Sequence, residues 1–153
     1  MPIRRVAAAA ALLLPVLTAS PVRAQERDPD AFRFTGALAS GRTVHLHNVN
    51  GNIEVERSSS SNVEIRAEKR WRRGDPDDVQ ITQLTGRNGD LIVCALWNEA
   101  ECTEDGIRNQ RTIRWNDRND VSVHFTVRVP DGVHVTLKTV NGGVTAEGLT
   151  GTV

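Results

Sequence analysis

Two stretches of this chain repeat one pattern. Val49-Asn50-Gly51-Asn52-Ile53-Glu54-Val55-Glu56 is matched near the other end by Val140-Asn141-Gly142-Gly143-Val144-Thr145-Ala146-Glu147. Each reads Val-Asn-Gly, one variable residue, then an apolar/polar alternation ending in Glu. Asn-Gly is a strong turn signal, because both residues tolerate positive φ. Strict alternation after it suits a half-buried strand, whose side chains switch faces at every residue. A chain punctuated this way folds as repeated turn-and-strand units. Val49, Asn50, Gly51, Val140, Asn141 and Gly142 are therefore read as structural turn residues that start each unit.

The rest of the chain keeps the same grammar. Thr43–Val49 alternates Val44 and Leu46 with His45 and His47. Val63, Ile65 and Ala67 form one period-two face against Glu64, Arg66 and Glu68. Asn88-Gly89 is a third Asn-Gly turn, followed by Leu91–Trp97, which is apolar on both faces and predicts the most buried strand. Val121, Val123, Phe125, Val127 and Val129 give the cleanest alternation. Pro130-Asp131-Gly132 then turns the chain into Val133, Val135 and Leu137, which predicts a hairpin. No window outside the N-terminal segment shows the 3.6-residue periodicity of a helix. The fold class expected is all-β: a solenoid-like (β-helix-like) stack, or a sandwich, of short strands with Asn-Gly turns.

Residues 1–24 read as a signal peptide. Met1-Pro2-Ile3-Arg4-Arg5 is basic, Val6–Val16 is apolar, and Val22-Arg23-Ala24 fits the small-residue cleavage pattern. The apolar run falls short of the ~18 residues that span a bilayer. The mature chain is thus expected to carry no transmembrane segment and to be periplasmic, cell-surface or secreted. Residues 25–40 read as a polar leader with a candidate first strand around Phe32 and Phe34, and 41–153 as a single β-repeat domain. Removing residues 1–24 takes away Arg4, Arg5 and Arg23 and no acidic residue. The 19 basic residues fall to 16 against 19 acidic ones, a net charge of −3. That balance gives no general attraction to nucleic acid.

Cys94 and Cys102 are the two cysteines of the chain. In an oxidising compartment they are expected to pair and to tether the base of a long loop, Asn98–Asn119. His45 and His47 place two imidazoles about 7 Å apart on one strand face. With Glu54 or Glu56 across the turn they are the candidate metal ligands, although spacing fixes no third ligand. Asp75, Asp77 and Asp78, or Asn116, Asp117, Asn119 and Asp120, offer oxygens without completing a calcium loop. No nucleophile elbow, His-Glu-x-x-His pair or phosphate loop is present, so no enzyme and no cofactor is expected.

The motifs Val49-Asn50-Gly51-Asn52-Ile53-Glu54-Val55, Val63–Lys69, Leu91–Ala95, Phe125–Val133 and Thr139–Val144 together resemble a bacterial family of exported β-strand-repeat proteins of unknown function, described as adhesin-like. The resemblance covers roughly residues 40–153. It implies a non-enzymatic structural or interaction module at the cell envelope, with a partner in the envelope or self-association through an open C-terminal β edge. Similar proteins continue with further Asn-Gly units, whereas this one ends at Val153. The chain is either a short member or a truncated one. The alternative is a periplasmic metal- or small-ligand-binding protein using the His45/His47 face or the Asn98–Asn119 loop.

Overall fold

The computed structural model describes residues 25–109 and 119–150. The signal peptide read over residues 1–24, the oxygens of Asn116 and Asp117, and Val153 lie outside them. The described residues form strands β1 (Glu26–Ala37), β2 (Thr43–His47), β3 (Ile53–Arg57), β4 (Asn62–Trp71), β5 (Val79–Thr85), β6 (Leu91–Trp97), β7 (Ala100–Thr103), β8 (Gly106–Asn109), β9 (Ser122–Val129), β10 (His134–Lys138) and β11 (Val144–Glu147). A single 3-10 turn, Pro76–Asp78, is the helical structure among the described residues, capped by the Asp75 carboxylate on the Asp77 N–H. No helix there is long and apolar enough to cross a membrane. The protein is all-β.

One five-stranded sheet runs β1-β4-β9-β3-β11 and one four-stranded sheet runs β10-β2-β6-β5. Both send alternate side chains into one core, which joins Val44, Leu46, Leu91, Val93 and Val135 of one sheet to Ile53, Val55, Ile65, Phe125 and Val127 of the other. Strand alternation explains the assignment: in β9 every second residue, from Val123 to Val129, is buried.

The Asn-Gly units do not close hairpins. Each carries the chain from the four-stranded sheet to the five-stranded one. β2 crosses to β3 through Asn48–Asn52, and β10 crosses to β11 through Thr139–Gly143. The second unit then lies parallel on the first. Val44 pairs with Val135, Asn50 with Asn141, and Ile53 with Val144, each pair 91 residues apart. On their other side β2 pairs in parallel with β6, and β3 with β9. Three layers result: β6 with β9, β2 with β3, and β10 with β11. Asn88-Gly89, by contrast, does turn a hairpin, since β5 and β6 are antiparallel neighbours.

Two sequence expectations need correction. Val121–Val129 and Val133–Leu137 form strands, but β9 and β10 lie in different sheets and do not pair. Their apolar faces meet across the core instead of lying side by side. The turn at Pro130-Asp131-Gly132, with Gly132 at φ 80, redirects the chain between sheets. Asn98–Asn119 was expected to lack regular structure, yet its first half is the antiparallel hairpin β7–β8. The cause is the apolar second face of β6. Ile92, Cys94 and Leu96 point away from the main core and are covered by Ala100, Cys102 and Ile107 of that hairpin.

Cys94 and Cys102 are joined, with Cα atoms 5.8 Å apart. The bond fastens the β7–β8 hairpin to β6. Replacing both cysteines by alanine is expected to cost about 2–3 kcal/mol of unfolding free energy, read as a lower urea midpoint. Amide exchange should accelerate in β7 and β8 before it does in β6.

Candidate functional site

The feature that organises this molecule is the stacked corner between the sheets. Asn48 is fully enclosed there, and its Nδ2 donates to the Gly51 carbonyl at 3.1 Å and the Val123 carbonyl at 2.9 Å. Asn50 Nδ2 donates to the Val121 carbonyl at 2.9 Å. Backbone bonds repeat the layering. The Val123 and Phe125 N–H groups donate to Asn50 and Asn52, and the Gly51 and Ile53 N–H groups donate to Asn141 and Gly143, at 2.8–2.9 Å. Thr139 holds the position 91 residues after Asn48, and its Oγ1 donates to the Gly51 carbonyl at 3.1 Å.

Glycine is required in this corner by close approach. A Cβ on Gly51, which has φ 117, would fall on the Val123 carbonyl. A Cβ on Gly142 would fall on the Gly51 carbonyl. One rule thus holds twice: a glycine, with a polar donor three residues before it, sits on a carbonyl of the layer beneath. The Val-Asn-Gly residues singled out in the sequence are brought together in this one corner. Asn48 was missed, although Val44, Leu46 and Asn48 share one strand phase. An amide in a core-facing phase at a strand end is the signal that would have found it.

The outermost layer ends in an edge. No described strand pairs with the far side of β10 or of β11. Val144 continues the core column of Phe125 and Ile53, which are 1% and 0% exposed, yet it is itself 45% exposed. Val140 at the corner is 71% exposed. A core position without a neighbouring layer is what distinguishes this edge. The opposite edge, β1, is blunted by a register break at Asp28–Phe32 that contains Pro29.

The chain matches no family model, no curated protein and no solved structure.

His45 and His47 lie on the face of β2 turned away from the main core, rings 6.4 Å apart. Glu54 and Glu56 are on β3 in the other sheet, so the turn does not bring the four residues together. His45 Nε2 instead faces Asp90 Oδ2 at 3.8 Å, and Asp90 Oδ1 accepts from the Thr43 N–H at 2.9 Å. Among the described residues no group of three or more His, Cys, Asp or Glu is placed to hold a metal ion. Of the acidic oxygens, Asp120 Oδ1 accepts from the Arg72 and Arg73 N–H groups at 2.8 and 2.9 Å, and Asp78 Oδ2 from Asn119 Nδ2 at 2.9 Å. Burial pushes the Asp120 carboxyl up, but the two backbone N–H groups together with the charges of Arg73 and Arg72 outweigh it and hold the group below its ordinary value.

His47 is 2% exposed, and neither ring nitrogen has a hydrogen-bond partner among the described residues. Burial holds its pKa below the ordinary 6.5, and the charges of Lys138 and His45 push the same way. The Glu104 backbone and the Asp105 carboxylate pull against them without closing a well-formed hydrogen bond. The folded state therefore takes up this proton less readily than the unfolded chain. Stability on this account is constant above about pH 6.5 and falls as the pH drops below it, because the unfolded state then binds the proton first. His47→Leu should flatten that fall; an unchanged profile of urea midpoint against pH would contradict it.

A second feature was not legible in the sequence. Under Pro29 a half-open cleft of about 280 Å³ is lined by Glu54, Arg66, Glu68, Arg70 and His124 on the outer face of the five-stranded sheet. Arg70 grips Glu68 through two bonds of 2.9 Å, and this holds the Glu68 carboxyl below its ordinary value. Burial, then Arg70, lowers the His124 imidazole, whose Nε2 is 3.2 Å from Ser122 Oγ. These residues come from β3, β4 and β9, and only sheet order brings them together.

Proposed function

We propose that this chain is a non-enzymatic, exported β-repeat protein that acts as a structural or interaction module, adhesin-like, at the bacterial cell envelope. Its three parallel layers are the start of a solenoid-like stack. The single observation behind the reading is the outer edge of β10 and β11, where Val144 occupies a core position and is half exposed. An edge of this kind recruits another chain by strand addition, which supplies main-chain hydrogen bonds and covers apolar side chains together. The Cys94–Cys102 disulfide supports an oxidising compartment.

The test is cross-linking in intact cells expressing residues 1–153. The native chain should be exported and appear in an envelope complex of higher mass. Val144→Lys combined with Ala146→Pro, which removes an outward N–H and blocks the edge, should return it to the monomer. Retention in the cytosol, or a complex indifferent to the edge variant, contradicts the reading.

The charged cleft supports a second reading, a periplasmic binder of a small polar ligand. Its opposed carboxylates and guanidinium groups suit a zwitterion. A melting-temperature rise with a free amino acid, lost in Arg66→Ala, is the result that would favour it.

A further inference from the structure

We infer that the β10–β11 edge accepts one kind of partner: a polypeptide segment that folds as strand, glycine corner, strand, and adds in parallel as a fourth layer. This deepens the reading of that edge as the contact surface and rests on it. Two successive layer contacts inside the molecule obey the same rules, and the outer edge presents the same groups again.

The backbone sets the direction. Gly51 and Ile53 donate their N–H groups outward to Asn141 and Gly143. Gly142 and Val144 stand 91 residues later in the same register, so their N–H groups take those outward positions at the edge. The corner sets the residue type. Val123 and Gly51 each offer a carbonyl that a corner glycine covers and that a polar side chain three residues earlier reaches: Asn48 for the first, Thr139 for the second. The next carbonyl in the column is that of Gly142. A fourth layer must place glycine over it, with Asn, Ser or Thr three residues before.

The columns set the pattern of the strands. Leu91–Val44–Val135 and Val93–Leu46–Leu137 run through one sheet, Phe125–Ile53–Val144 and Val127–Val55–Ala146 through the other. The partner therefore carries two alternate apolar residues in each strand. Its outward face is constrained as well. Arg128, Glu56 and Glu147 follow one another across β9, β3 and β11, and Arg128 Nε pairs with Glu56 at 3.3 Å. Glu147 lies beside a like charge, so a basic residue above it is favoured. The recognised sequence is apolar-x-apolar, one residue, a polar donor, two residues, glycine, one residue, then apolar-x-apolar followed by Lys or Arg.

The probe is a synthetic peptide carrying residues 134–148 of this chain, whose inner edge already fits such a layer. It is titrated into the folded protein and followed by amide exchange and chemical shift. Saturable binding should slow exchange at Gly142 and Val144 and leave the β1 and β5 edges unchanged. A peptide with Gly142→Val should bind at least about tenfold more weakly, and one with Glu147→Arg more tightly. Three results would overturn the inference: no binding of any peptide, equal binding of the Gly142→Val peptide, or protection at Gly142 and Val144 by self-association that the peptide does not displace. If cellular cross-linking still depends on Val144, the edge remains the contact surface and only the parallel layer is wrong.

Discussion

Gly51→Ala should cost about 2–6 kcal/mol, overpacking and backbone strain contributing roughly 1–3 each. The residue has φ 117, and its Cβ would fall on the Val123 carbonyl, which is backbone and cannot swing aside. The carbonyl also accepts the buried Asn48 amide, so displacing it breaks a second contact. Urea denaturation reads the loss as a lower midpoint at unchanged slope. Gly142→Ala meets the equivalent carbonyl, that of Gly51, but in the outermost layer. There the chain has a cheaper escape, the peeling of β11. Global stability should move little, while β11 amides lose protection. Equal losses at the two glycines would contradict the layered account, because the inner corner is clamped on both sides and the outer one on one.

Phe125→Ala should destabilise the fold by a similar amount, about 3–5 kcal/mol, through lost burial and the cavity left behind. Phe125 is the largest of the fully buried side chains and starts the column that continues through Ile53 to Val144. The column predicts a gradient. Ile53→Ala, in the middle layer, belongs in the range of about 2–5 kcal/mol. Val144→Ala should stay within about 0.5 kcal/mol in the isolated protein, since Val144 already faces solvent in part. A Phe125→Ala variant as stable as the parent would mean that the two sheets do not close over this core.

Much of the fold is legible in the sequence because strands announce themselves by alternation. Val121–Val129 and Val44–Leu46 are examples: a period of two fixes which side chains turn inward, whatever their partners. Strand partnership is a different matter. Nothing local to Pro130-Asp131-Gly132 distinguishes a turn that pairs its flanking strands from one that passes them to opposite sheets. The 91-residue register is set by shapes that meet only after folding, Gly142 on Gly51 and Thr139 on its carbonyl. The pairing of Cys94 and Cys102 is expected from compartment, and the double-sided apolar run Leu91–Leu96 asks for a cover on its second face. That the cover is the β7–β8 hairpin could not be read from Ala100, Cys102 and Ile107, which are spread over a polar stretch. The candidate edge was anticipated from the late second Asn-Gly unit. The Glu54–Glu68–His124 cleft was not, because its residues are far apart in sequence and each looks like an ordinary outward strand residue.

The stacked corner can be observed directly, as scalar coupling transmitted through the hydrogen bonds between amide nitrogen and carbonyl carbon in isotopically labelled protein. The layered corner should give cross-peaks linking the Gly51 nitrogen to the Asn141 carbonyl and the Ile53 nitrogen to the Gly143 carbonyl, across 90 residues of sequence in each case. Cross-peaks joining each Asn-Gly unit to its own flanking strands, in the pattern of a two-residue hairpin, would contradict it.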